Sequence, residues 1–251
     1  VCFTPVSVPF LVQTFLFAYF NLVVGLNAGV IATIMLIARV WDAINDPLMG
    51  IIADHTRSRW SSYRPWAFFA TIPMGIILVL TFTNVGLTST AKVIYCGAMY
   101  ILFGMSNTAS LIPLGSMANV LTDSNQERAV LGSFREFGSS IGNLAGSIAV
   151  PAIVTAFIKS GMGEARGYQL TAVVLSILCF VFLGITFFTT KERIEPPKNP
   201  VSFIASLKVL KGNVPGICII LFFFFITTAI ITRQMFNGYY GIYVLGNEGL
   251  G

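Results

Sequence analysis

Residues 39–50 read RVWDAINDPLMG, and they stand between two apolar runs, IATIMLIA at 31–38 and IIA at 51–53. How this stretch is read decides the fold. If its surroundings are lipid, Arg39, Asp42 and Asp46 each cost roughly 2.5 kcal/mol or more and demand a reason for being there. If its surroundings are water, they are ordinary surface charges.

Composition decides for lipid. The 251 residues are 55% hydrophobic and only 10% charged, with 22 Phe and a mean hydropathy of +0.82. A soluble domain carries about 25% charged residues. The four cysteines (Cys2, Cys96, Cys179, Cys218) lie singly in apolar segments, so neither a disulfide framework nor a zinc site is suggested and buried free thiols are expected. The net charge of +5 is spread through short joints between apolar runs. That is the pattern of membrane topology rather than of a phosphate-binding face, so nucleic acid is excluded as a partner and a lipid bilayer is expected.

A window of about 20 residues, the length of helix that crosses a hydrocarbon core, finds apolar spans at 6–24, 28–54, 66–86, 91–121, 131–158, 167–190 and 214–236. The expected fold is an all-α polytopic membrane protein. The joints at 55–65, 122–130 and 191–213 hold nine basic residues (Arg57, Arg59, Arg64, Arg128, Lys191, Arg193, Lys198, Lys208, Lys211), against four (Lys92, Lys159, Arg166, Arg233) near the alternate joints. The positive-inside rule then places the first set, and the amino terminus, in the cytoplasm. The implied organisation is a six-helix bundle over 1–190, a proline-interrupted cytoplasmic linker over 191–213 and a seventh helix within 214–251. The chain starts at Val1 without an initiator Met, almost against the first span, and shows no basic n-region with a cleavage site. A fragment of a longer chain is expected.

On an ideal helix Arg39, Asp42 and Asp46 project within roughly 60° of one another, with Asn45 on the neighbouring edge. Asp42 falls near the bilayer midplane and Asp46 about 6 Å nearer the cytoplasm, too deep for either to reach water. Two readings stay open: a structural triad in which Arg39 neutralises the aspartates, or a cation site. One arginine neutralises only one carboxylate, and hard cations favour oxygen ligands. Pro47, lacking an N–H, also frees the carbonyl of Ala43. Span four adds neutral oxygens in Ser106, Asn107, Thr108 and Ser110, although Ser and Thr in membrane helices commonly bond their own backbone or a neighbouring helix. Span five carries Arg135 and Glu136 at its cytoplasmic end, then Gly138, Gly142 and Gly146 at the spacing of a close helix contact. An intramembrane enzyme would need a nucleophile with a base, or a metal cage. The single histidine, His55, lies at the mouth of an Arg-rich loop and there is no HExxH, so no enzyme is expected.

The stretches ARVWDAINDPLMGIIADHTRSRWSSYRPW (38–66) and IPLGSMANVLTDSNQERAVLGSFRE (112–136) resemble the glycoside-pentoside-hexuronide:cation symporter family of the major facilitator superfamily. The resemblance is close over spans two to five and rests on hydropathy and spacing for the others. It implies an amino-terminal six-helix bundle plus the first helix of a carboxyl-terminal bundle, the rest of which is expected in the native chain. The implied activity is cation-coupled symport of a sugar or glycoside in a bacterial inner (cytoplasmic) membrane, with Na⁺, Li⁺ or H⁺ as coupling cation and no tightly bound cofactor.

By the same resemblance Asp42, Asn45, Asp46 and Thr108 form the cation site, Asp42 and Asp46 being the metal ligands if the ion is Na⁺. Arg135 contacts the sugar, and a lipid-headgroup or ion-pair role is its rival. Asp54, Arg57 and Arg59, with Arg39, form a latch on the inner face. Where the family's best-known member has a sugar-binding aspartate and a nearby tryptophan in helix four, this chain has Leu111 and Gly115, and the acidic sugar ligand of helix one has no counterpart in Thr4–Ser7. Gln13 and Asn107 are the nearest polar candidates for a substrate hydroxyl. The alternatives are a same-fold transporter of another amphiphile, such as a lysophospholipid, and a non-transporting membrane sensor.

Overall fold

The computed structural model describes residues 12, 15–17, 19–86, 88–192 and 212–243, and among them every regular element is helical. A π-helical turn at Tyr19–Val23 precedes α1 (Ala28–His55), whose first turn is closed by the Asn27 side chain accepting from the Gly29 N–H at 2.8 Å. Next come α2 (Arg64–Phe69), α3 (Thr71–Thr81), α4 (Ser89–Leu121), α5 (Asn125–Phe157), α6 (Glu164–Thr189) and α7 (Val214–Tyr243). Five stretches among them are long and apolar enough to cross a membrane: Ala28–His55, Arg64–Thr81, Ser89–Leu121, Asn125–Met162 and Glu164–Thr189. Positions 6–11, 13, 14 and 18 of span one fall outside the described residues, Gln13 among them, as do Cys2 and most of the 191–213 linker.

Three spans differ from their expected outlines; the simplest case is span seven, expected over 214–236, whose helix α7 runs to Tyr243. Span three, expected over 66–86, is α2 and α3 separated by Ala70. Pro65 opens α2, where a missing N–H is harmless; Pro73 in the first turn of α3 removes the donor that the Phe69 carbonyl would need to carry one helix through. Span five, expected from 131, begins six residues earlier at Asn125. Ser124 accepts from the Glu127 N–H at 3.4 Å and the Thr122 hydroxyl bonds the Glu127 carboxylate, a variant of the capping box. Arg135 therefore lies ten residues, about 15 Å, into α5 rather than in its first turn. At the other end of α5 a π turn (Ile158–Met162) leads into α6 through Gly161 and Gly163, both at positive φ (86° and 77°), where a side chain would be strained.

The chain divides into two compact units, Val1–Pro200 and Val201–Gly251. Within the first, α1 packs on α4, α2 and α3 pack on both α4 and α6, and α5 packs on α6. Gly75 allows α3 and α6 to approach so closely that a Cβ there would lie 3.2 Å from Ser176. One end of this unit is tied by the rings of Tyr19, Phe82 and Tyr168, with centroids 5.0–6.2 Å apart, and the other by Phe68 stacked on Phe187 at 5.1 Å. Buried Cys96 and Cys179 are free thiols as expected; Cys218, on the apolar helix α7 of the second unit, is free but exposed.

Candidate functional site

Because α1 and α4 lie side by side, two i, i+4 pairs face each other. Asp42 lies against Gly104, where a Cβ would stand only 3.2 Å from its Oδ1. One turn along, the Thr108 hydroxyl donates to Asp46 Oδ1 at 2.9 Å across 62 residues of sequence. Gly104 is a site residue that the sequence reading did not single out: its missing side chain is what lets a carboxylate lie against α4. Arg39 donates to Asp42 Oδ2 at 3.4 Å from a half-exposed position. That pair leaves the second carboxylate with a neutral hydroxyl, and the three side chains with a formal charge of −1. Arg39 stands 15 residues before Asp54 on α1, about 22 Å away along the helix, so the structure brings it to Asp42 and not to the other residues of the expected latch.

The neutral oxygens of α4 divide by geometry. Ser106 bonds its own helix at the Leu102 carbonyl (2.9 Å), and buried Ser110 donates to the Ala67 carbonyl of α2 (2.8 Å), so both are structural. Thr108 is left as the hydroxyl at the aspartates. Asn45 Nδ2 and Asn107 Oδ1 are buried with no hydrogen-bond partner, an arrangement that costs about 1–3 kcal/mol per group unless something supplies the missing bond. A half-turn of the Asn45 amide puts an acceptor oxygen where the orphan donor lies. Among the described residues no three of His, Cys, Asp and Glu cluster. What the structure brings together is two carboxylates on α1, one offset by Arg39, with the Thr108 hydroxyl, which is oxygen chemistry of the kind hard cations take. Arg135 reaches Gly115 of α4, whose Cβ would be 3.8 Å from Nη1, and also holds Glu136 at 3.2 Å. In these contacts Gly115 leaves room for the guanidinium.

The loop between α1 and α2 carries the latch candidates, and here the structure adds a residue. Asp54 accepts from the Tyr63 hydroxyl at 2.8 Å, and burial followed by this bond pushes the Tyr63 hydroxyl's pKa above its usual value. Arg57 donates to the Asp54 carbonyl (3.1 Å) and to Ser62 (3.2 Å). Arg59 lies over the Trp60 ring at 4.4 Å. The acid that organises the loop is Glu192, just past α6: its carboxylate accepts the backbone N–H groups of Ser62, Tyr63 and Arg64 at 3.1, 2.9 and 3.0 Å. Arg64 completes the clasp by donating to the Phe187 carbonyl and lying over the Phe187 ring at 4.9 Å. Glu192 had no legible signal, because it recognises backbone groups 128–130 residues away.

Comparison with known proteins gives a consistent result. The family described as MFS/sugar transport protein matches residues 7–251. The inner membrane symporter YicJ of Escherichia coli is 32% identical over 94% of this chain and 51% of its own length. The putative glycoside/cation symporter YagG of the same organism is 41% identical over 79% of the chain and 43% of its own length. The isoprimeverose transporter of Lactiplantibacillus pentosus is 32% identical over 92% and 48%, respectively. The chain spans about half the length of these curated relatives.

Proposed function

Since this chain belongs to the MFS/sugar transport protein family of multi-pass membrane transporters, we propose that the whole protein is a secondary active transporter coupling uptake of a sugar or glycoside to a monovalent cation by alternating access. The observation that carries this reading is the bond from Thr108 to Asp46 beside the Asp42–Gly104 contact. It gives α1 and α4 one shared, negatively charged, oxygen-lined position within the spans. Relatives named as a glycoside/cation symporter and an isoprimeverose transporter support the substrate class.

The coupling follows from electrostatics. With the cation absent, the carboxylates leave uncompensated charge in a site that must become dry for the bundles to close around substrate. A bound Na⁺, Li⁺ or proton removes that penalty, so only the doubly loaded carrier closes readily and the cation gradient drives uptake. Asp42 and Asp46 supply charge, Thr108 and Asn45 neutral ligands, and Arg135 and Asn107 face the substrate from other helices, with Gln13 as a further candidate outside the described residues. Asp54, Arg57 and Arg59 organise the inner-face loop that moves as the bundles rock.

The direct test is uptake of labelled glycosides by cells expressing the whole protein, with Na⁺, Li⁺ and pH varied in turn. Uptake indifferent to all three overturns the coupling. Thr108→Ala deletes one neutral ligand and no charge. We expect cation affinity to fall about 3–10-fold, the worth of one hydrogen-bonding oxygen, with concentrative uptake retained. Complete loss of coupling in this variant would assign Thr108 a larger role than ligand.

The proposed location is a bacterial inner membrane with the amino terminus and the 55–65 loop in the cytoplasm, on the nine-to-four distribution of basic residues. Ser58 is exposed in that loop. A Ser58→Cys protein should react with an impermeant maleimide only after cells are opened. Labelling in intact cells would invert the topology.

A further inference from the structure

A groove of about 530 Å³ opens where the end of α1, the α2–α3 break and α4 meet; Pro65, Trp66, Phe69, Pro73, Leu102 and Ala109 form much of its wall. From Pro65 to Pro73 it extends about 12 Å along the span, starting at the 56–63 loop. At 100° per residue, Leu102 and Ala109 lie roughly opposite Asn107 and Leu111 on α4, so the groove is on the side of the helix away from the candidate substrate face.

The side-chain polar groups that line it are already engaged. Thr56 donates to the Ile52 carbonyl at 2.7 Å and accepts from the Trp66 indole N–H at 2.9 Å, and Ser106 is bonded to the Leu102 carbonyl. A sugar would find no free side-chain donor among these lining groups; a hydrocarbon chain needs none. At the rim, Phe69 meets Trp60 at 5.7 Å, and the exposed Arg59 lies over Trp60. Among the described residues the acids near this loop are engaged elsewhere, Asp54 with Tyr63 and Glu192 with backbone N–H groups, and Arg59 stands on Trp60 at the rim of the apolar channel.

We infer that the groove is a phospholipid site: it holds one acyl chain of an anionic phospholipid from the leaflet on the 56–63 side, and Arg59 meets the headgroup phosphate. Charge complementarity favours an anionic over a zwitterionic lipid, and the aromatic rim suits the depth at which headgroup and chain join.

Trp66 in the wall makes the site readable. The whole protein is placed in phosphatidylcholine nanodiscs containing increasing fractions of brominated phosphatidylglycerol or brominated phosphatidylcholine, and the Trp66 signal is taken as the difference from Trp66→Phe. Half-maximal quenching is expected at about a fivefold lower fraction of the anionic lipid, the effect of one arginine near an anionic headgroup. Arg59→Gln should erase that preference, and Ala109→Phe, which fills the groove, should weaken quenching by both lipids. Equal half-maxima for the two lipids, or a preference that survives Arg59→Gln, overturns the proposal. So does a Trp66 that neither lipid quenches, which would mean that protein covers the groove. The two-lipid comparison without the Ala109→Phe variant decides the matter even if that variant fails to fold.

Discussion

Asp46→Cys in the whole protein is expected to abolish cation-stimulated uptake, lowering cation affinity by about 100-fold or more, the scale of losing one charged ligand from a poorly hydrated site. Asp42→Cys should do the same. Each change removes a proposed ligand and the charge that the cation would neutralise; in the Asp42 variant Arg39 also loses its bond to that carboxylate. Substrate binding itself should survive in part, because the proposed substrate contacts Arg135 and Asn107 lie on α5 and α4 while the aspartates lie on α1. Equilibrium substrate binding with and without Na⁺, and across pH, separates the two effects. If both variants kept wild-type cation dependence, the aspartates with Arg39 would be a packing triad and the cation site would have to be sought elsewhere.

Glu192→Ala removes the single acceptor shared by three consecutive backbone N–H groups, two of them on the buried residues Ser62 and Tyr63. Charge-assisted bonds of this kind contribute about 1.5–3 kcal/mol each when buried. Glu192 is only half-buried, so a total loss of about 2–4 kcal/mol is the reasonable expectation. In thermal unfolding of the purified protein that corresponds to a fall in Tm of about 5–12 °C. Glu192→Gln keeps one acceptor oxygen and should lose less than half as much. A Tm within 1 °C of the parent for Glu192→Ala would show that the loop holds its shape without the clasp.

The sequence made some of this architecture plain and hid the rest for identifiable reasons. Hydropathy outlines long helices because a span must be apolar along its whole length, and α1 and α4 were visible almost to the residue. The break at Ala70 was also written in the sequence, in Pro65 and Pro73, but an apolar window averages across it. The early start of α5 was hidden because 125–130 is polar, although Ser124 and Glu127 carry a capping signal. Helical spacing put Arg39, Asp42 and Asp46 on one stripe; which helix they face is a tertiary fact, and only the family resemblance anticipated Thr108. Ser106 and Ser110 look identical to Thr108 in sequence, and only packing assigns them to carbonyls. Gly104 acts by lacking a side chain and Glu192 by binding backbone, so neither leaves a pattern that residue types alone can disclose.

The bond between Asp46 and Thr108 also bears on how the protein is made. At about 5–20 residues per second, the 62 residues separating the two take the ribosome roughly 3–12 s. During that interval α1 has been synthesised with two carboxylates that each cost about 2.5–3.5 kcal/mol at the centre of a helix entering lipid alone. The segment that accommodates them, Gly104 to Thr108, does not yet exist. Even with Arg39 beside Asp42, that cost favours an α1 that lingers beside the insertion machinery, or in a shallow position, until α4 follows it. The carboxylates proposed to hold a cation thus favour late entry of the second span into its own membrane.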